Sequence, residues 1–307
     1  MSAVMLSSVV KRYGEVQALA GLSLEIEQGT MFGLIGPDGA GKTTAIRLMC
    51  GLLRPDSGVV RVLGLDPARA HRALTERVGY LSQRFSLYGD LTIDENISFF
   101  AEIHGVRDYG TRRDQLLSMT QLTPFRGRLA DKLSGGMKQK LALACTLVHQ
   151  PDLILLDEPT TGVDPISRRE FWKLLSEFLA QGITIVMSTP YLDEAERCHR
   201  VALIHEGRLL ASDEPSALLG GHVGRMLEIV APRVRDVIEL VRRLPGVAEA
   251  QVFGDRLHVT LADASDQGVE RFRAALAATS LRGAPMREMT PSLEDVFIAR
   301  LAEASHV

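Results

Sequence analysis

The sequence predicts an α/β fold built on a buried parallel sheet, with a smaller α+β domain after it. Two very apolar runs, residues 153–156 and 183–187, are short, bounded by polar turns and separated by a helical stretch around residues 171–179. That order is typical of a βαβ unit, because parallel strands are buried on both faces and are joined by helices. A third apolar run, residues 31–35, leads directly into a glycine-rich loop, and a helix is predicted from Thr43 onward.

An antiparallel layer and a helical region are predicted on the N-terminal side of residue 153. The alternating patterns at residues 3–10 and 18–27 favour strands of a mostly antiparallel layer. Residues 92–147 carry a helical pattern with few strand signals. We therefore expect a helical subdomain from about residue 88 to residue 147, inserted into the parallel core.

The composition changes near residues 220–222, which predicts a first domain of residues 1–220 and a second of residues 221–307. The elements predicted in the second domain are a strand at 226–230, a helix at 234–244, a hairpin turning at Gly254 and Asp255, a helix at 269–278, a strand at 286–289 and a helix at 293–302. Ser292 and Asp295 can form a capping box on the last helix. The β-α-β-β-α-β order predicts a ferredoxin-like accessory domain.

Composition and charge indicate a globular protein with no general affinity for nucleic acid. Of the 307 residues, 46% are hydrophobic and 24% are charged, and the formal net charge is -3. No stretch approaches the roughly 20 apolar residues of a membrane span, and the N-terminus lacks a signal-peptide pattern, so we expect a cytoplasmic protein. Cys50, Cys145 and Cys198 are widely spaced and odd in number, which favours buried thiols in a reducing compartment.

A phosphate-binding loop is predicted directly after the strand at residues 31–35. The full P-loop pattern is matched by Gly36, Pro37, Asp38, Gly39, Ala40, Gly41, Lys42, Thr43 and Thr44. The glycines let consecutive backbone N–H groups turn inward and bind phosphate oxygens at the positive end of a helix. Lys42 can reach the β- and γ-phosphates of ATP, and the Thr43 hydroxyl can coordinate Mg²⁺.

Two carboxylates end the apolar run at residues 153–156, as in a Walker B segment. Asp157 comes at the end of the predicted strand, where it can hold Mg²⁺ through water. Glu158 is then the candidate base for the attacking water. Acidic residues also end strands simply as turn formers, and it is the preceding P-loop that favours the catalytic interpretation.

A third motif, residues 133–139, opens a helix between the P-loop and the Walker B segment. Ser134 is a natural N-cap, and Gly135 and Gly136 leave backbone N–H groups accessible. Alone, the motif is compatible with an ordinary capped helix. In this position it matches the ABC signature, and the chain resembles the nucleotide-binding subunits of ABC transporters over residues 1–220.

The resemblance implies roles for three further residues. Tyr13 lies where the family has an aromatic ring that stacks on adenine, and Gln83 matches the Q-loop residue that contacts Mg²⁺ and relays to the membrane subunit. Asp164 belongs to the D-loop, which crosses the dimer interface in the family. A half-buried strand tyrosine, a surface glutamine and an ordinary turn before Pro165 are the competing interpretations.

One position departs from the family pattern. The family's switch histidine stands between Ser-Thr and an Asp-Glu-Ala-Glu segment, and here that position is Pro190. Proline offers neither a side-chain donor nor a backbone N–H, so an impaired hydrolysis site is predicted. Thr189 and Tyr191 are the nearest substitute donors, and His199 is predicted to be a surface residue.

Residues 291–297 are similar to the C-terminal extension of ATPases that serve ABC-2-type exporters. The resemblance implies a P-loop ABC ATPase that binds ATP and Mg²⁺ and pairs with a second cassette. It further implies that the ATPase drives ABC-2-type permease subunits at the cytoplasmic side of the inner or plasma membrane. The expected cargo is drugs or other hydrophobic or amphipathic molecules. One alternative is an ATP-holding regulatory cassette in an asymmetric complex. A second is a soluble ATPase that acts on nucleic acid or ribosomes. It is less favoured, because such relatives usually carry two cassettes or a long coiled-coil insertion, and this sequence shows neither.

Overall fold

The computed structural model describes residues 1–83, 87–221, 224–231 and 233–305. The chain divides into two compact units, Met1–Pro215 and Ser216–Val307. The elements that precede the second unit are β1 (Ser2–Tyr13), β2 (Val16–Glu27), β3 (Met31–Ile35), α1 (Lys42–Met49), β4 (Ser57–Val62), α2 (His71–Thr75), β5 (Val78–Leu81), α3 (Ile93–Ile103), α4 (Gly110–Met119), α5 (Gly135–Leu147), β6 (Leu153–Asp157), α6 (Pro165–Ala180), β7 (Thr184–Thr189), α7 (Leu192–Ala195), β8 (Arg200–His205) and β9 (Arg208–Asp213).

The central sheet of the first unit is the predicted parallel layer. Its strand order is β5-β6-β7-β3-β8-β9, with β9 antiparallel to β8 and the other pairs parallel. Every residue of β6 and of β7 is buried, which explains why these strands are continuous apolar runs. Ile35 pairs with Thr189, and Asp157 pairs with Ser188, so the carboxyl ends of β3, β6 and β7 meet at one edge.

An antiparallel sheet of order β2-β1-β4 forms the second layer, as predicted. Its buried side chains share a core with residues of the parallel sheet and of α1, including Phe32 and Ile46. β1 continues to Tyr13, beyond the predicted end at residue 10. Its pairing with β2 shifts register around Ser8, whose φ is 48°, and this irregularity lets the strand bend and continue.

Helices α3, α4 and α5 form the predicted helical subdomain. Thr92 and Glu95 make a complete capping box at the start of α3. The buried Asn96 side chain donates to the carbonyl oxygens of Tyr88, Leu91 and Thr92, which fixes the chain that enters the helix. No helix within the described residues combines the length and the apolarity that a membrane crossing requires.

The second unit has the ferredoxin-like order predicted from the sequence. After α8 (Pro215–Gly220), its elements are β10 (Arg225–Val230), α9 (Val234–Arg242), β11 (Val247–Phe253), β12 (Arg256–Leu261), α10 (Asp266–Ala277), β13 (Met286–Met289) and α11 (Leu293–Ser305). The strands pair antiparallel in the order β11-β12-β10-β13. Helix α10 begins before the predicted residue 269, because Ser265 caps it by accepting from the Gly268 N–H. Ser292 and Asp295 form the predicted capping box.

Candidate functional site

The loop between β3 and α1 lies at the carboxyl edge of the parallel sheet. Gly36 is so close to β8 that a Cβ would overlap the carbonyl oxygen of Ile204. Gly41 has a φ of 102°, a conformation that favours glycine, and it occupies the N-cap position of α1. The first N–H groups of α1 have no partner within the helix. An anionic phosphate is therefore the kind of ligand that this loop favours.

Lys42, the first residue of α1, provides a buried positive charge beside the loop. Its side chain is 3% exposed. The ammonium group donates to the carbonyl oxygens of Gly36 and Pro37, at 2.8 and 3.0 Å. It also lies 3.2 Å from a carboxylate oxygen of Glu158. A buried ammonium needs such partners, and they hold the charge inside the loop.

Oxygen atoms suited to Mg²⁺ lie together at the end of β6. The Thr43 hydroxyl donates to Oδ1 of Asp157 at 2.9 Å, and the Ser188 hydroxyl donates to the same oxygen at 2.7 Å. Asp157 is 1% exposed. A hydroxyl and a carboxylate beside a phosphate-binding loop are the few protein ligands that Mg²⁺ takes when it is bound together with phosphates. The residues therefore fit this ion.

Glu158 follows β6 in a strained conformation, with a φ of 48°. Its backbone N–H donates to the Ser188 hydroxyl at 3.0 Å. One carboxylate oxygen faces Lys42, and the other accepts a 2.9 Å hydrogen bond from the Gln83 side-chain amide. The structure thus joins three predicted site residues, Lys42, Gln83 and Glu158, although they are far apart in the sequence.

These groups surround one cavity of about 580 Å³. Its lining includes most of the predicted nucleotide site, namely Tyr13, Asp38, Gly39, Ala40, Gly41, Lys42, Thr43, Thr44, Gln83 and Glu158. Tyr13 is 45% exposed, and the Lys11 ammonium lies 5.8 Å from the centre of its ring. Pro190 and Tyr191 line the same cavity. Seven predicted site residues are not part of the described lining: Gly36, Pro37, Ser134, Gly135, Gly136, Asp157 and Asp164.

The signature residues instead lie at the start of α5, where they pack against α6. The Ser134 hydroxyl caps α5 by accepting from the Met137 N–H. Ser134 and Gly135 are exposed, whereas Gly136 is buried and a Cβ on it would overlap the Ser167 hydroxyl. Gly136 therefore allows α5 and α6 to approach closely.

The predicted D-loop residue, Asp164, is the N-cap of α6. Its carboxylate accepts from the backbone N–H groups of Ile166 and Ser167, at 3.1 and 3.0 Å. These bonds, chiefly the one from Ser167, hold the pKa of Asp164 below its usual value. Asp164 thus fixes the start of the helix whose first turn contacts Gly136.

We expect Gly136→Ala to lower the melting temperature by several degrees. The new methyl group overlaps Ser167, and overpacking of this kind costs about 1–3 kcal/mol. Gly135→Ala is the matched control, because no atom lies within 4 Å of the added methyl group. Thermal unfolding of both variants measures the difference. Equal melting temperatures for the two variants, or no recovery of Gly136→Ala by Ser167→Gly, would contradict close packing at this position.

The two substitute donors suggested for Pro190 have different environments. Thr189 is fully buried, and its hydroxyl donates to Glu194 at 2.7 Å while accepting from the Tyr191 N–H. Tyr191 lines the cavity. His199 is exposed, as expected, and its Nδ1 accepts from the N–H of Met31, at the other end of β3 from the phosphate loop.

Two groups of polar contacts next to the cavity were not predicted from the sequence. Ser188 joins Asp157 to the backbone of Glu158. Glu194 is buried and accepts hydrogen bonds from Thr160 and Thr189. Its position in the Asp-Glu-Ala-Glu segment, directly after Pro190-Tyr191-Leu192, is the signal in the sequence that could have identified it.

Comparisons with known proteins agree with this architecture. Residues 19–161 match the protein-family model described as ABC transporter. The chain is 42% identical over 307 residues to the probable multidrug ABC transporter ATP-binding protein YbhF of Escherichia coli K12, covering 98% of this chain and 52% of the relative. It is 39% identical over 268 residues to the Nod factor export ATP-binding protein I of Paraburkholderia xenovorans LB400, covering 86% and 87% of the two chains.

Solved structures show the same similarity. The chain matches cbiO1 of Clostridium perfringens, described as part of the ABC transporter complex cbiONQ, with a TM-score of 0.66 and 27% identity over 80% of this chain and 96% of that one. A dimeric bacterial ABC transporter cassette matches with a TM-score of 0.62 and 27% identity, over 69% and 98% of the chains.

The fold, the phosphate loop and these similarities define an ATP-binding cassette of the ABC type. The chain belongs to the ABC transporter family of ATP-binding proteins. It spans about half the length of its Escherichia coli relative.

Proposed function

We propose that this chain binds ATP with Mg²⁺ and hydrolyses it as the ATP-binding subunit of a membrane exporter. The observation that carries the proposal is the cavity at the edge of the parallel sheet. There the phosphate loop, Lys42, Gln83 and Glu158 meet in one place. These are the groups that phosphoryl transfer to water requires: phosphate-binding N–H groups, a cation and a carboxylate base.

Each residue has a distinct role in this proposal. Lys42 and the N-terminus of α1 bind the β- and γ-phosphates, and Tyr13 at the rim stacks on the adenine ring. Thr43 and Asp157 hold Mg²⁺, with Gln83 beside them; the ion supplies charge neutralisation at the phosphate oxygens. Glu158 accepts a proton from the attacking water, and the amide of Gln83 orients the Glu158 carboxylate.

The exposed signature residues support a dimer. Ser134 and Gly135 lie outside the cavity of their own chain and are accessible to another molecule. In the proposed dimer, Ser134, Gly135 and Gly136 of one subunit contact the γ-phosphate bound by the other. Asp164 then crosses the interface. A related cassette has a dimeric structure, which supports the pairing of two cassettes.

An export role and membrane partners are proposed from the relatives' names. One curated relative is called a multidrug transporter protein and another a Nod factor export protein. We propose ABC-2-type permease subunits as partners at the cytoplasmic side of the membrane. The cargo is hydrophobic or amphipathic. The accessory domain of residues 221–307 serves assembly or regulation.

A second candidate function, an ATP-holding cassette in an asymmetric complex, is favoured by Pro190. This residue lines the cavity where the family has a histidine donor, and it offers no donor. Loss of one preorganised contact to the transition state costs on the order of 10²–10³ in rate. Pairing with a histidine-bearing cassette would limit that loss to one of the two sites.

The test is Mg²⁺-dependent ATP hydrolysis by the purified chain, compared with Pro190→His. We expect slow turnover in the wild type and a gain of tenfold or more in the variant, because the histidine restores a donor beside the γ-phosphate. Pro245→His in the second unit is the matched control and should change nothing. A wild type that already turns over at about 1 s⁻¹ or faster, with no gain in Pro190→His, would exclude the impaired site. Absence of any ATP binding would refute the proposed function itself.

A further inference from the structure

A buried carboxylate next to the cavity has no part in the roles proposed above. Glu194 lies in the short helix α7 and is 1% exposed. Its Oε1 atom accepts a hydrogen bond from the Thr160 hydroxyl, and its Oε2 atom accepts one from the Thr189 hydroxyl, both at 2.7 Å. Thr160 comes two residues after Glu158, and Thr189 directly precedes Pro190. One side chain therefore joins the two chain segments that bound the cavity on this side.

Helix α6 provides the other contacts of this carboxylate. The Trp172 indole N–H lies 3.4 Å from Oε1 of Glu194, and Nε of Arg168 lies 3.6 Å from the same atom. The Arg168 guanidinium also stacks on the ring of Tyr191, 4.7 Å from its centre. We call Glu194, Thr160, Thr189, Trp172 and Arg168 the Glu194 cluster.

Burial of the Glu194 carboxylate makes rearrangement of the Glu194 cluster unfavourable. A buried carboxylate is unfavourable unless donors surround it. The two hydroxyls, the indole N–H and the nearby guanidinium meet that need in this arrangement. Displacing either Thr160 or Thr189 would leave a buried charge with fewer donors, so each segment resists movement.

The two segments that the Glu194 cluster joins contain Glu158 and Pro190, and both have a backbone that benefits from outside contacts. Glu158 has a positive φ, a conformation that persists only where its surroundings enforce it. Pro190 has no N–H with which to fix its own segment. The neighbouring Tyr191 N–H instead donates to the Thr189 hydroxyl, which is itself bonded to Glu194.

We propose that Glu194 is a positioning residue for hydrolysis, acting on Glu158 through Thr160 and on the Pro190–Tyr191 segment through Thr189. This role rests on the proposed ATPase function and deepens it. It affects the chemical step more than nucleotide binding, because the phosphate loop and Lys42 make no contact with the cluster in the described hydrogen bonds and ion pairs.

The experiment removes one hydroxyl while keeping the shape of the side chain. Thr160→Val is expected to lower kcat about tenfold or more and to leave KM for ATP within about twofold, since a small misplacement of a reacting group is costly. Thr160→Ser keeps the donor and should retain kcat within about threefold. Thr120→Val is the matched control, because Thr120 is also fully buried and its hydroxyl, among the described residues, bonds to carbonyl oxygens of its own helical segment.

The outcomes separate this role from the proposed function. A wild-type kcat in Thr160→Val overturns the positioning role, as does an equal loss of kcat in Thr120→Val. If Thr160→Val does not fold, Glu194→Gln decides: it should show the same fall in kcat at unchanged KM, and wild-type kinetics would overturn the role. A wild type that binds and hydrolyses no ATP would refute the proposed function and this role together.

Discussion

Glu158→Gln is expected to lower the rate of ATP hydrolysis by roughly 10²–10⁴-fold, the usual contribution of a general base. The amide has nearly the same shape as the carboxylate and can still meet the Gln83 side chain, but it cannot accept a proton from water. ATP affinity should stay within a few-fold, because the phosphate loop is unchanged. Single-turnover hydrolysis and equilibrium ATP binding measure the two effects separately.

Glu177→Gln on the outer face of α6 is the control for this substitution. Glu177 is partly exposed, lies 4.0 Å from Lys173 and is not among the residues that line the cavity. This variant should hydrolyse ATP like the wild type. If Glu158→Gln also hydrolysed ATP at the wild-type rate, Glu158 would not be the base, and another group would have to align the water.

Lys42→Ala is expected to abolish ATP binding at concentrations that saturate the wild type. The substitution removes the buried positive charge beside the phosphate loop, and hydrogen bonds to charged groups contribute about 1.5–3 kcal/mol each. It also leaves Glu158 without its cation 3.2 Å away, so two negative groups would face each other once phosphate entered. Equilibrium binding of ATP to the folded variant measures the loss.

Lys173→Ala is the matched control for the loss of a lysine. Its side chain is 77% exposed, and its ion pair with Glu177 is a weak surface interaction. The ATP affinity of Lys173→Ala should equal that of the wild type. Retention of tight binding by Lys42→Ala would mean that the backbone N–H groups of the loop suffice, and that Lys42 acts mainly on Glu158.

Features made of adjacent residues were predicted well from the sequence. The P-loop requires glycines, a lysine and a threonine at fixed spacing, because its geometry is local. The capping box of Ser292 and Asp295 was predicted and confirmed for the same reason. The predicted end of β1 at residue 10 was wrong. The strand continues through polar residues to Tyr13, because they pair with residues of β2.

Contacts between distant residues could not be derived from the pattern alone. Glu158 was predicted from the carboxylates that end a buried strand, and Gln83 from the family resemblance, but the sequence does not indicate that their side chains bond to each other. The packing of Gly136 against Ser167 was also missed, because the glycine was interpreted only through its accessible N–H group. A glycine that provides space for a neighbouring helix looks the same in a sequence as one that binds a ligand.

By itself, the sequence determined the α/β class, the phosphate loop, the position of the Walker B carboxylates and the unusual proline at residue 190. Each of these depends on short-range spacing and on the burial of apolar strands. Only the tertiary structure decided that the Thr189 hydroxyl donates a hydrogen bond to Glu194, whereas Tyr191 lines the cavity. The reason is physical: a hydroxyl takes whichever partner the fold places within hydrogen-bond distance, and that partner comes from another strand or helix.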